Sequence, residues 1–328
     1  MGDGLIQYYR IGPYTFSEIE QNPQLKQDEF VLISIAPEEA DKLPELLGTS
    51  QAQLDSERLE QLKSILSLDE DTGNPYFTIL PKVMHLGRHV HFVRYRDVDR
   101  DANEKAVTFC LAHGKFVLMA SGYIELEQIR RWAQRGILLT PLDLADIMSL
   151  EVFYHYQTSL DKMESHAFQV EKDILVGPKV VHQIAIMQAH REVMAIKKSI
   201  NLHQTVLARL SDIASRRSIP DELEQTVERL LGNAQTVHDM VENLRDAYQT
   251  AVQNRTNDIM KVLTILATIL LPINLLTSFF GMNFVNLPLI KSRYGLVLFY
   301  LASVVIGIAA LAYFKKRDWL FIWHRNKV

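Results

Sequence analysis

Counting alternately four and three residues from Gly232 gathers a mostly polar seam: Thr236, Asp239, Asn243, Asp246, Thr250, Gln253, Asn257, Met260, Thr264, Ala267, Leu271, Asn274, Ser278 and Gly281. That spacing follows one face of a supercoiled helix. No Lys or Arg falls on the seam, although Arg229, Arg245, Arg255 and Lys261 stand on other faces. In water an acid-dotted stripe of this kind is an ordinary wet face. Inside a bilayer it is not, because Thr264, Asn274 and Ser278 on one side of a membrane helix must face protein or water. A different face, with Leu223, Val227, Leu230, Ala234, Val237, Val241, Leu244, Tyr248 and Ala251, is apolar at heptad spacing and is expected to pack against other helices.

The bilayer is itself a reading of the sequence. Val262–Phe280 and Leu296–Phe314 contain no charged residue, and each approaches the roughly 20 residues that cross a membrane as helix. Two such runs joined by a short loop favour a membrane over the core of a soluble protein. Arg293 and Tyr294 precede the second run, and Lys315-Lys316-Arg317 and Trp319 follow it, which is the usual placing of interfacial anchors. The opening MGDGLIQYYR lacks the charged-then-apolar pattern of a secretory signal, so the N-terminal part is expected in the cytosol. The cationic KKRDWLFIWHRNK segment is expected there too, leaving Asn283–Gly295 as a short external loop. Lys291 and Arg293 make that loop a mild exception to the charge rule. Two spans cannot enclose a water path alone, so several copies are expected around an axis with the polar seam inward.

Charge divides the 328 residues unevenly. The formal net charge is −4, yet after position 260 there are eight Lys/Arg and a single acid, Asp318, which leaves the first 260 residues at −11. This acidic body excludes a basic nucleic-acid binder. One cysteine, Cys110, excludes an internal disulfide framework and a multi-cysteine zinc motif. No GxxxxGK[ST] loop and no HExxH occurs, so neither a nucleotide nor an enzymatic role is expected.

Up to about residue 140 the pattern is α/β. Strands are expected at 30–36, 76–84, 89–98, 106–112 and 116–121, where β-branched and aromatic residues concentrate, with helices near 37–47, 55–68 and 124–135. His113-Gly114 reads as the turn joining the last two strands. Beyond Pro141 strand signals stop. Helices are expected over 142–176 and 179–213, broken at Gly177-Pro178, and a third from about 220 with no internal stop before Gly281, about 90 Å long. Pro272 lies within it, where a membrane helix tolerates proline. The expected organisation is an α/β domain (1–140), a helical hairpin (141–219), a stalk helix (220–261), a first span (262–280), an external loop (281–295), a second span (296–314) and a basic tail (315–328).

The first span ends in Phe280-Gly281-Met282-Asn283-Phe284. With Asn257, Met260-Lys261, Thr264, Pro272, the second span and Lys315-Lys316-Arg317, this stretch resembles the CorA family of divalent-cation transporters, whose signature is Gly-Met-Asn at the outer end of the first of two C-terminal spans. The resemblance is close over 257–317 and covers the rest in outline. It implies an α/β cytosolic domain, a long helical stalk, two C-terminal transmembrane helices and a funnel-shaped homopentamer in the bacterial inner membrane with both termini cytosolic. It further implies a selectivity filter of Gly281, Met282 and Asn283, the Asn283 amides meeting a metal ion through its hydration shell. Asp246, Asn257, Met260, Thr264, Leu271, Asn274 and Ser278 would line the pore, with Leu271 and Met260 as apolar constrictions. Lys315, Lys316 and Arg317 would form a basic ring near the inner membrane face. The cargo would be Mg²⁺, with Co²⁺ or Ni²⁺ also carried, and Mg²⁺ bound between neighbouring cytosolic domains would hold the channel shut. No cofactor, nucleotide or nucleic acid is implied; the partners are other copies of the chain, the lipid bilayer and divalent cations.

One departure stands out. Many magnesium-transporting members place an acid just after the loop proline, whereas Leu287-Pro288-Leu289-Ile290 is followed by Lys291, with no carboxylate in the loop. A zinc transporter of the ZntB-like branch, proton-coupled as in some relatives, and a membrane-anchored scaffold that does not conduct are the alternatives this motivates. Other possible metal residues carry less. His89 and His91 alternate on one strand as a solvated or core pair. Asp97, Asp99 and Asp101 resemble the start of an EF-hand, but Ala102 stands where Gly is required and Thr108 where the last Glu belongs, so a charged turn is expected. His182, His190 and His203 have no i,i+4 pairing along their helix and receive no ligand role. Cys110 is expected in the core.

Overall fold

A computed structural model describes residues 6–20, 25–26, 28–36, 39, 42–47, 60, 62, 79–87, 90–101, 103–112, 114–213, 220–281, 294–317 and 319. Seven strands form one sheet: β1 (Ile6–Gly12), β2 (Thr15–Ile19), β3 (Phe30–Ile35), β4 (Lys82–Gly87), β5 (Val90–Val98), β6 (Glu104–Ala112) and β7 (Lys115–Ser121). The order is β2-β1-β3-β7-β6-β5-β4. Only β3 and β7 run parallel; the other neighbours are antiparallel. The helices are α1 (Leu43–Leu47), α2 (Leu126–Gln134), α3 (Pro141–Val176), α4 (Val180–Ile213), α5 (Asp221–Gly281) and α6 (Gly295–Lys316).

The chain divides into two compact units, 1–169 with 184–244, and 170–183 with 245–328. In the first, the two-residue period of the strands sorts side chains onto two cores. Phe30 and Leu32, Val93 and Tyr95, Val107 and Phe109, and Phe116 and Leu118 join a core completed by α2–α5. Their neighbours Val31, Ile33, Phe92, Cys110, Val117 and Met119 point the other way, to Leu43, Leu47 and Leu62. The sheet is therefore covered on both faces. This explains why its strands read as continuous apolar runs and not as alternations.

Local chemistry sets the helix ends. Asp143 accepts from the Thr140 and Leu139 N–H groups (2.7 and 3.1 Å) while Thr140 Oγ1 accepts from the Asp143 N–H (3.2 Å), a reciprocal cap around Pro141. Pro178 separates α3 from α4, and three acids open α5 where the helix dipole favours them. The apolar heptad face of α5 is buried as expected at Leu223, Val227, Leu230, Ala234, Val237, Val241 and Leu244.

The sequence reading missed β1 and β2; of the expected strand 76–84, residues 76–78 lie outside the described residues, 79–81 are not strand, and the strand itself is β4 at Lys82–Gly87. The hairpin β1–β2 has a half-exposed, mixed pattern whose place is decided by pairing with β3. His113, His89, Ala102 and all of the expected helix at 55–68 except Glu60 and Leu62 lie outside the described residues.

A polar seam crosses the apolar core where β5 meets α3 and α4. Arg96 donates to Glu104 (2.6 Å) and, through Nη1, to the Tyr156 hydroxyl (3.1 Å). That hydroxyl donates to the Arg96 carbonyl (3.1 Å) and lies 2.7 Å from Ser199 Oγ. The Arg96 N–H donates to His203 Nε2 (3.0 Å). Asp97, fully buried, accepts from the Val98 and Tyr123 N–H groups and from His155 Nδ1 (2.9, 2.8 and 2.8 Å). Gly122 makes room for this: its φ is +62°, and a Cβ there would stand 2.6 Å from Asp97 Oδ2. Asp99 closes the expected charged turn by accepting from the Asp101 and Asn103 N–H groups.

The two histidines of the seam titrate in opposite senses. Burial, helped by the Arg96 charge, pushes His203 down to about 3. At His155 burial opposes the imidazolium, but the Asp97 hydrogen bond and charge outweigh it and the pKa rises. Between about pH 3 and 6.5 the unfolded chain therefore binds a proton that folded His203 refuses, so this contribution to stability is lost as pH falls below 6.5. The loss reaches about 2 kcal/mol near pH 5. The His155 contribution is complete below 6.5 and fades as pH rises through its raised folded value. The His203→Leu variant is expected to be less stable near pH 7.5 by about 1–3 kcal/mol, since the Arg96 N–H loses its acceptor. Its thermal unfolding should also fall off more gently than wild type between pH 6.5 and 5. Parallel acid limbs for the two proteins would refute this account.

Candidate functional site

The second unit contains the residues on which the functional reading turns. Two helices, Asp221–Phe279 within α5 and Val297–Lys316 within α6, are long and apolar enough to cross a membrane. The chain does not cover them: none of the apolar window of the first is buried, and 6% of that of the second. Leu271 and Leu275 are 72% and 70% exposed. A soluble core helix would be mostly buried, so these surfaces need lipid or further protein.

The seam of α5 is regular helix throughout, and Pro272 does not interrupt it. Asp246, Asn257, Met260, Thr264, Leu271, Asn274, Ser278 and Gly281 are all exposed along it. The structure separates them by what their polar groups already do. Thr264 Oγ1 donates to the Met260 carbonyl at 2.8 Å, and Thr268 and Thr277 bond back in the same way at 2.7 and 2.8 Å. A hydroxyl satisfied by its own helix costs little in hydrocarbon. Thr264 therefore does not by itself require water. Asn274 has no such partner among the described residues, and a carboxamide offers two donors and two lone pairs that lipid cannot satisfy. Asn274 thus carries most of the argument that this face turns away from lipid.

At the N-terminal end of the first apolar run, Asn257, Met260 and Thr264 line an open recess of about 310 Å³ together with Asn254, Asp258, Lys261 and Trp319. Lys261 is held by Asp258 at 3.0 Å. Lys315, Lys316 and Arg317 close α6, all exposed, with Arg317 5.6 Å from the centre of the Tyr313 ring. Trp319 stacks on Phe314 at 5.5 Å. Gly281 is the last residue of α5; Met282, Asn283 and the rest of the loop through Arg293 lie outside the described residues.

Outside the spans, Cys110, His182 and His203 stand as the sequence reading expects, whereas His91 and His190 depart from it. His203 is fully buried among Tyr95, Phe153 and Tyr156, and the His182 ring accepts from the Lys179 N–H at 3.3 Å. His91 pairs across strands with His85, Nδ1 to Nδ1 at 2.9 Å. Cys110 is fully buried, which pushes its thiol up. The omission was His190, which has no partner along its own helix but meets His238 and Glu242 of α5. The i,i+4 spacing of His238 and Glu242 was the available signal.

Comparison with known proteins agrees with this architecture. The family model described as CorA-like Mg²⁺ transporter protein matches residues 51–316. A curated cobalt/magnesium transport protein CorA from Thermotoga maritima is 29% identical over 172 residues, 50% of this chain and 49% of that protein. The match thus spans about half the length of that relative. A magnesium transport protein CorA from Yersinia pseudotuberculosis is 23% identical over 251 residues, 71% of this chain and 78% of that one. Among solved structures, the complete CorA magnesium transporter of Methanocaldococcus jannaschii superposes with a TM-score of 0.68 at 18% identity, covering 97% of this chain and 100% of that one. An α/β body, long helices and two apolar C-terminal helices are therefore shared in fold as well as in sequence, and this chain belongs to the CorA-like Mg²⁺ transporter family.

Proposed function

We propose that the chain is the subunit of a homopentameric channel that passes hydrated divalent cations, chiefly Mg²⁺, across the bacterial inner membrane. The observation that carries this reading is the Gly281-Met282-Asn283 signature following the uncharged run Val262–Phe280, whose exposed seam includes an Asn274 amide without a partner among the described residues. Five such helices around an axis would give each seam residue the water that lipid denies it. Mg²⁺ gives up first-shell waters reluctantly, so a ring of neutral Asn283 oxygens that accepts hydrogen bonds from those waters selects the hydrated ion without stripping it. Neutral oxygens hold it only moderately, as conduction requires. Asn274, Asn257 and Asp246 would be further polar rings, with Leu271 and Met260 closing the path by dewetting.

The membrane potential suffices as driving force, at about 2.3 kcal/mol per charge per 100 mV and so about 4.6 kcal/mol for a divalent ion. Both termini would lie in the cytosol, with Lys315, Lys316 and Arg317 at the inner face. Mg²⁺ bound between neighbouring cytosolic domains would close the channel, and millimolar Mg²⁺ should then raise the melting temperature and protease resistance of the assembly; unchanged values would remove this feedback. A second reading, Zn²⁺ as cargo, is favoured by the external loop, where Leu287-Pro288-Leu289-Ile290-Lys291 brings no carboxylate.

Flux into liposomes tests the main reading. Mg²⁺ is expected to enter faster than Zn²⁺ with inside-negative potential and no pH gradient, and Asn283→Ala should cut or deregulate that flux at least tenfold. Faster Zn²⁺ entry that requires a pH gradient would install the second reading, flux indifferent to Asn283→Ala would remove the filter assignment, and entry of neither ion above that into empty liposomes would leave a non-conducting scaffold. Accessibility supplies an independent test, because the single native thiol is buried. Cysteines placed at Asn274 or Ser278 should react with a charged, membrane-impermeant thiol reagent about tenfold faster than cysteines at Ile269 or Leu276, which lie on the opposite face of the helix. Equal rates would show that the seam does not face water.

A further inference from the structure

His238 and Glu242 stand one helical turn apart on α5, and His190 approaches them from α4. All three belong to the first unit. His190 Nδ1 lies 3.0 Å from Glu242 Oε1, and the His190 and His238 rings are 5.5 Å apart at an interplanar angle of 55°. One donor atom from each residue falls within 4.8 Å of the other two. His238 Nδ1 is shielded from water and makes no hydrogen bond in the described structure. A shielded imidazole nitrogen without a partner is an unexplained cost in a helix pair that is otherwise well packed at Val237 and Val241.

We propose that His190, His238 and Glu242 form a binding site for a first-row transition-metal ion of the Zn²⁺ class, joining α4 to α5 within one subunit. The donor set decides the ion. Imidazole nitrogen and carboxylate oxygen suit Zn²⁺, Co²⁺ and Ni²⁺, whereas Mg²⁺ demands a near-octahedral shell of oxygens. Ligation at about 2.0–2.2 Å in tetrahedral geometry sets donors roughly 3.4 Å apart, so the three side chains need only close in by about 1 Å. Each residue is half-buried, which leaves the remaining coordination position open to water. The i,i+4 pair on one helix fixes two ligands in advance, and the third then clamps the neighbouring helix. An ordinary ion pair of His190 with Glu242 would account for the 3.0 Å contact but not for His238. The site does not depend on the channel reading and is tested without measuring flux.

The full-length protein in detergent, stripped with a chelator, is equilibrated with Zn²⁺, Co²⁺ or Mg²⁺, and bound metal is counted after dialysis. Wild type is expected to retain about one more Zn²⁺ per chain than His238→Gln or His190→Gln, and to retain it in excess Mg²⁺. His91→Gln, which alters the other imidazole pair, should keep that ion. Co²⁺ should give wild type visible absorption bands typical of four or five ligands, and these should vanish in His238→Gln. Equal Zn²⁺ content in wild type and both variants, displacement of the ion by Mg²⁺, or absence of the Co²⁺ bands from wild type would each overturn the proposal. The wild-type spectrum and the Mg²⁺ competition decide the matter even if a variant folds poorly.

Discussion

One helix has to satisfy two solvents. α5 begins against an apolar core and ends as a membrane span, and a single unbroken ladder of backbone hydrogen bonds serves both. In hydrocarbon no water is present to take over an exposed N–H or C=O, so the helix cannot end or loosen before it has crossed. Its side chains change role accordingly. From Leu223 to Leu244 one narrow apolar face is buried, whereas from Val262 onward apolar residues occupy nearly every face and remain uncovered by the chain itself. The rest of the architecture follows from anchoring the first stretch and finding company for the second.

Anchoring is achieved by a doubly covered sheet with a polar seam at its helix-facing side. The seam is a costly way to join β5 to α3 and α4, since Arg96 and Asp97 are both nearly sealed from water. It is tolerated because each buried charge is answered: Arg96 by Glu104 and Tyr156, Asp97 by two backbone N–H groups and His155. Such directional bonds orient the long helices more specifically than apolar contact alone. The same α3–α4–α5 layer brings His190 next to His238 and Glu242, so the packing that joins the long helices also gathers these three side chains.

Inside the membrane the useful distinction is between polar groups that are self-sufficient and those that are not. Serine and threonine can bond back to the preceding turn, as Thr264, Thr268, Thr277 and Ser303 do. Asparagine cannot be silenced so easily. A stripe that mixes both kinds therefore overstates, when read as letters, how much of it demands water; bonding back removes Thr264 from the demand, and the Asn274 amide carries most of what is left.

The spans, the unbroken helix from Asp221 to Gly281, its heptad face and the family were legible in the residues themselves, because charge-free runs, 3.5-residue periodicity and a rare tripeptide in context are local signals. Strands β3, β5, β6 and β7 were legible for the same reason, being short and strongly β-branched. The hairpin β1–β2 was not, since a half-exposed strand owes its place to the neighbour it pairs with. Nor were the partners of Arg96 and Asp97, or the meeting of His190 with His238 across 48 positions of sequence. Periodicity along one helix tells which residues share a face; only the packing of two helices decides what that face meets.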